Sequence, residues 1–206
     1  FVSLTETHIS DNIDSASFAK FDKHVSKARK LTIRGRCSGG VAVLVKKCYS
    51  DYVFRIQTQI ENAVILKISK ELFHTEKDII YISIYIPPHD SPFWSKTENG
   101  YGLELLEKCV MDLYEVMDDF FLLICGDLNA RTASKNCDDG SPDDIQPFDV
   151  NNDNDYVLSR TSHDKEVNVF GEQLLEFCNI AECAILNGLT EYGYDDSCTY
   201  ICTSGA

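Results

Sequence analysis

A change of hydrophobic period constrains this chain most. Residues Ile79 to Ile86 are rich in Ile and Tyr and stop at Pro87-Pro88, as a strand does. From Tyr101 to Met117 the period changes. Leu103, Leu106, Val110, Leu113 and Met117 recur at steps of three and four, which predicts an amphipathic helix. Six apolar residues follow, Phe120 to Cys125, closed by Gly126. Such a run fits a strand buried on both faces, or a piece of buried helix. Strand, helix and strand in succession predict an α/β domain.

Just past that run lie an acid and an amide, Asp127 and Asn129. Open α/β sheets place ligands beyond the ends of their strands. Two residues apart in an extended chain, the two side chains point the same way. The competing reading is a plain Asp/Asn turn, which both residue types favour.

The remaining segments fill in the sheets. Phe1 to Leu4 reads as the end of a strand, with Glu6 just after it. A short helix is predicted around Ala16 to Ala28. Val41 to Val45 is an apolar strand after Gly39-Gly40, and Tyr52 to Thr58 alternates like a half-buried one. Ala63 to Ile68 and a short Ala184 to Leu186 are further strands. Glu166 to Glu182 is a second helix, with Val169, Phe170, Leu174, Phe177 and Cys178 on its apolar side. Cys198 to Cys202 begins another apolar segment. An acidic loop is predicted at about 134–165. Its residues 136–159 contain seven Asp and no Lys or Arg and lack the acid spacing of an EF-hand.

The 206 residues suffice for one domain with a sizeable core, and no linker divides them. A net charge of −14 argues against a broad basic face for nucleic acid. It leaves room for a local acidic metal site working on phosphates, because the metal supplies positive charge. The nine cysteines form no CxxC or Cys/His zinc pattern. Cys125 and Cys178 read as core residues, and free thiols in a reducing, intracellular compartment with no disulfide partner are expected. No apolar run has the length of a membrane helix, and the first residues are not a signal peptide. The absence of an initiator Met and an opening inside a strand suggest a piece of a longer reading frame.

Glu6, Tyr85 and the Asp127/Asn129 pair each follow, or end, a strand-like segment. Phosphodiester hydrolysis needs such a set. A hard divalent cation prefers carboxylate oxygens and water. One carboxylate can take a proton from the attacking water, and neutral donors such as Asn or Tyr can hold phosphate oxygens. Glu6 as a surface acid and Tyr85 as an ordinary strand aromatic are the plainer alternatives.

The segments LTETH, GGVAVLVKK, ISIYIPP, LLICGDLNARTA, RTSHDKEVNVFGEQLLEFC, ILNGLT and CTY occur in that order. Together they resemble the endonuclease/exonuclease/phosphatase superfamily, and within it the apurinic-type endonuclease domain of non-LTR retrotransposons, over nearly the whole chain. The resemblance implies a four-layer α/β sandwich, two mainly antiparallel sheets flanked by helices. It implies that Glu6 matches the metal-binding Glu and Asp127 the acid that activates or orients water. Asn129 matches the phosphate-binding amide, and Tyr85 the family's Tyr near that phosphate. Arg131 and Thr199 are weaker candidates for substrate contact, and Asn187-Gly188 matches a recurrent turn.

The resemblance further implies Mg²⁺ (or Mn²⁺) as cofactor, DNA as substrate, an attached reverse transcriptase and a nuclear site of action. The expected activity is DNA nicking, with a small-ligand phosphatase or a non-catalytic remnant as alternatives. The family's upstream metal-site Asn, its Ser-x-x-Asp segment and its terminal Asp-His pair have no match here. The sandwich is therefore expected to be incomplete at both termini, and these residues alone to be inactive or nearly so.

Overall fold

The computed structural model describes residues 1–11, 18–96, 100–117, 119–135 and 160–188. The acidic stretch 136–159, the apolar segment 198–202 and Thr199 lie outside them. The chain divides into two compact units, residues 1–129 and 130–206.

The first unit is an α/β sandwich. Its three-stranded antiparallel sheet has the order β1-β3-β2, from Val2–Leu4 (β1), Phe21–Ser26 (β2) and Val41–Lys46 (β3). Its four-stranded sheet has the order β4-β5-β6-β7, from Val53–Ile56, Ala63–Ile68, Asp78–Tyr85 and Phe120–Asp127. The β4–β5 and β5–β6 pairs are antiparallel, and β6–β7 is parallel. A parallel pair needs a long crossover. The chain between β6 and β7 supplies it and includes a helix, α2 (Glu104–Val116); a one-turn helix, α1 (Lys70–Phe73), precedes β6.

The sheets share a core because their strands alternate. Val41, Val43 and Val45 of β3 pack with Val53, Val64, Leu66 and Tyr85 of the other sheet, and Tyr49 and Tyr81 close its side. Ser3 of β1 hydrogen-bonds the fully buried Ser83 of β6, so a polar contact also ties the two sheets. Tyr81, Ser83 and Tyr85 take one face of β6. Ile80, Ile82 and Ile84 are therefore buried on the other. On α2, Leu106, Val110 and Leu113 are buried, as the helical period predicts, and so is Leu103 just ahead of it.

Four expectations need correction. Of the segment expected as a helix around Ala16 to Ala28, the described residues 18–28 are not helical. Residues 21–26 are β2, paired over six positions with β3, so cross-strand pairing overrides a weak local helix preference. The run Phe120 to Cys125 is a strand but is not buried on both faces. Among the described residues it pairs with β6 alone, and Phe121 and Leu123 are 41% and 43% exposed. The strands covered on both faces are β5 and β6, at the sheet's centre. Gly126 does not end β7 either; the ladder continues to Asp127, opposite Tyr85. Finally, Ala184 to Leu186 forms no strand. Among its described residues the second unit offers no strand to pair with it.

That second unit centres on α3 (Val169–Ile180). Phe170, Phe177 and Cys178 are buried, whereas Val169, placed on the apolar side from sequence, is 49% exposed in the first turn. Asn168 caps the helix: its Oδ1 accepts from the amides of Gly171 (2.7 Å) and Arg131 (3.0 Å). The Asn168 amide returns a bond to the Arg131 carbonyl. Gly171 is required at that approach, because a Cβ there would stand 1.8 Å from the Arg131 oxygen.

Candidate active site at the ends of β1, β6 and β7

Three chain segments bring polar groups together at one end of the sandwich. β1 is followed by Glu6, β6 ends at Tyr85, and β7 ends at Asp127. The Tyr85 hydroxyl donates to Glu6 Oε1 at 2.6 Å, joining one sheet to the loop that leaves the other. Tyr85 and Asp127 are register partners across the parallel β6–β7 pair. Of the residues singled out from the sequence, the structure thus brings Glu6 against Tyr85 and puts Asp127 in register with Tyr85.

The Tyr85 ring is buried in the inter-sheet core and only its hydroxyl end reaches the polar cluster. Burial pushes its phenol well above the ordinary tyrosine range. The hydrogen bond and charge of Glu6 push the same way, and the charge of Asp127 adds to them. Tyr85 is therefore a neutral hydrogen-bond donor at physiological pH.

Past β7 the chain does not stay extended. Asn129 has φ 49°, in the left-handed region, so it does not continue the direction of Asp127. Asp127 Oδ1 accepts the Asn129 amide at 3.0 Å, an Asx turn. Turn and site are thus one structure. The ladder also extends beyond the strands. The Ile86 amide donates to the Asp127 carbonyl at 2.9 Å, and Asn129 Nδ2 donates to the Ile86 carbonyl at 2.8 Å. The Asn129 side chain takes the place of the next rung. Gly126 permits this close approach, since its φ is 134° and a Cβ would lie 1.9 Å from the Ile84 oxygen.

Glu6 is left-handed too, with φ 50°. Backbone strain of this kind costs of order 1–3 kcal/mol per residue and collects at functional sites. The loop carrying Glu6 is held by backbone bonds that sequence reading missed. Thr7 and His8 donate their amides to the carbonyls of Gly40 (3.1 Å) and Gly39 (2.9 Å). The Gly39-Gly40 pair ahead of the Val41 strand is the sequence signal for this anchor.

Arg131, a candidate substrate contact, has its guanidinium on two carboxylates. It donates to both oxygens of Asp164 (2.6 and 2.7 Å) and to Glu166. A phosphate would have to compete with both. The Arg131 charge beside Asp164 holds that carboxyl below the usual range.

Among the described residues no group of three or more His, Cys, Asp or Glu side chains is arranged to hold a metal. An all-protein cage is thus not the relevant comparison. Mg²⁺ is characteristically held by one or two carboxylates, with water and substrate phosphate completing the shell. Glu6, with Asp127 acting on the same phenol, fits that donor set.

Among the described residues no helix is long and apolar enough to cross a membrane. Among the described residues Cys37, Cys48, Cys109, Cys125, Cys178 and Cys183 form no disulfide, and Cys125 is only half-buried, its thiol donating a hydrogen bond to the Tyr81 hydroxyl. No family model matches the chain, and no curated protein matches it.

Proposed function

We propose that this chain carries residues of a Mg²⁺-dependent phosphodiesterase site, that of a DNA-nicking endonuclease of the retrotransposon type. The observation that carries the reading is the Tyr85 hydroxyl donating to Glu6 at the end of β6, with Asp127 its register partner at the end of β7. Two carboxylates around a neutral, pre-positioned donor suit a phosphate that must be neutralised, held and attacked.

Glu6 is the residue that would hold the ion. Bound there, Mg²⁺ (or Mn²⁺) supplies neutralisation of phosphate charge and stabilises the leaving oxygen. Asp127 orients a water and accepts its proton as the water oxygen attacks phosphorus. The P–O3′ bond opposite the attacking oxygen breaks, and the departing oxygen, once protonated, is a 3′-hydroxyl suited to priming a reverse transcriptase. Tyr85, whose single hydroxyl proton lies on Glu6 in this structure, would turn that proton to the phosphate once Glu6 holds the ion, from a ring fixed in the core, and Asn129, braced on Ile86, has a second amide proton to offer. Such pre-organised donors lose little entropy on meeting the transition state. DNA as substrate, an intracellular and nuclear place of action and a linked reverse transcriptase belong to the same proposal.

The test is nicking of supercoiled plasmid by the full reading frame containing these residues, with and without Mg²⁺. Metal-dependent nicking abolished by Asp127→Asn and by Glu6→Gln is the expected result. Hydrolysis of p-nitrophenyl phosphate without nicking would replace DNA by a small phosphorylated ligand. Neither activity, together with no Mg²⁺ uptake by calorimetry, would leave a binding domain without chemistry.

A further inference from the structure

Asn62 lies outside the cluster just described, in the turn between β4 and β5. It is 1% exposed and left-handed, with φ 57°. Its Oδ1 accepts the Gly40 amide at 2.8 Å, while its Nδ2 is buried with no hydrogen-bond partner. A buried amide with an orphaned donor, on a strained backbone, is costly twice over. A residue that carries both costs points to a task that other residues do not perform.

The bonds around it form a closed circuit. The Asn62 carbonyl accepts the Tyr85 amide at 2.9 Å, so Asn62 holds the end of β6. Its side chain holds Gly40. The Gly39 and Gly40 carbonyls hold His8 and Thr7, which fix the loop of Glu6. The Tyr85 hydroxyl then closes the ring onto Glu6. The fit is close on every side. A Cβ at Gly39 would lie 2.3 Å from Asn62 Oδ1, and one at Gly40 would lie 2.6 Å from Thr7 Oγ1.

We infer that Asn62 is a positioning residue that sets the Glu6 carboxylate against the Tyr85 hydroxyl by bridging the Gly39-Gly40 turn and the end of β6. Asn62 touches neither substrate nor metal. It acts through Gly40 on Glu6 and through its own backbone on Tyr85. The type of side chain follows from the geometry: an acceptor of that length, on a residue tolerant of left-handed φ, is Asn or Asp. This inference rests on the phosphodiesterase reading for its importance, but its geometry can be tested without it.

Asn62→Gly is the informative variant, since Gly accepts the left-handed backbone and keeps the carbonyl to Tyr85 while removing the hook on Gly40. The readout is hydrogen exchange of the Thr7 and His8 amides in the full chain, together with the ¹⁹F chemical shift of fluorinated Tyr85 at neutral pH, assigned by its loss in Tyr85→Phe, and Mg²⁺ affinity by calorimetry. In Asn62→Gly, with an unchanged far-UV spectrum, the Thr7 and His8 amides should lose protection, the Tyr85 resonance should move, and Mg²⁺ should bind ~10- to 100-fold more weakly, the usual loss when an outer-shell partner is removed. Asn62→Asp, whose carboxyl keeps the acceptor and the shape, should restore all three. Parental protection and affinity in Asn62→Gly, or equal loss in Asn62→Asp, overturn the inference. Should Asn62→Gly not fold, native-state hydrogen exchange of the parent decides: the Thr7, His8 and Gly40 amides should open together, and separate opening overturns the circuit. Lost protection and a moved Tyr85 resonance in a chain that never nicks DNA would uphold the positioning role and sink the phosphodiesterase.

Discussion

The Tyr85 hydroxyl reaches Glu6 Oε1 across 2.6 Å, although 79 residues separate them and they belong to the two different halves of the sandwich. The bond depends on both sheets being in register. It therefore links the stability of the first unit to the geometry of its candidate site.

Tyr85→Phe should keep the fold, because the ring remains in the core, and cost about 1.5–3 kcal/mol for the lost bond to a charged acceptor. Plasmid nicking should fall roughly 10²-fold or more if the hydroxyl is a transition-state donor. Thermal melts and single-turnover nicking check the two parts separately.

The raised phenol also predicts a pH dependence. Its folded value lies above its unfolded value, so its stabilisation is fully present below the unfolded value, near ~10, and is lost as pH rises toward the folded one. Urea melts of the parent should lose stability faster above about pH 10 than those of Tyr85→Phe. Some alkaline loss should remain in the variant, because burial also raises Tyr81.

Asp127→Asn should abolish metal-dependent nicking while shifting the melting temperature little. Its side chain is exposed, and an amide oxygen can still accept from the Asn129 amide. Removal of a positioned base costs about 10²–10⁴ in rate. An undiminished rate would remove Asp127 from the chemistry.

Gly126→Ala should destabilise the first unit by about 3 kcal/mol or more, measured by urea unfolding. The added methyl would meet the Ile84 carbonyl at 1.9 Å on a φ that L side chains rarely adopt. The change sits one residue before Asp127, so any folded fraction should also nick poorly.

In the second unit, Asn168→Ala removes the acceptor for the amides of Arg131 and Gly171 and should cost about 1–2 kcal/mol. Arg131→Ala, by contrast, breaks only exposed ion pairs and should cost no more than about 1 kcal/mol.

Much of the sandwich was legible because burial imposes a period. Val41 to Val45, Ala63 to Ile68, Ile79 to Ile86 and Leu103 to Met117 each carry a pattern that one local structure satisfies. The failures share one cause. Residues 21–26 and 184–186, and the exposure of Phe121 and Leu123, depend on whether a neighbouring strand is present, and a short segment does not record its neighbours. The candidate site divides in the same way. Glu6, Tyr85, Asp127 and Asn129 stood out in the sequence because each is a polar group at or near the end of an apolar run. That Tyr85 bonds Glu6, that Asn129 turns back onto Ile86, and that Asn62 joins the Gly39-Gly40 turn to β6 required the tertiary structure. Sequence by itself determined which residues can be strands and which side chains can do chemistry, through local period and residue type. Tertiary structure decided which strand lies at an edge and which polar groups meet, because pairing and hydrogen bonding join residues that are distant along the chain.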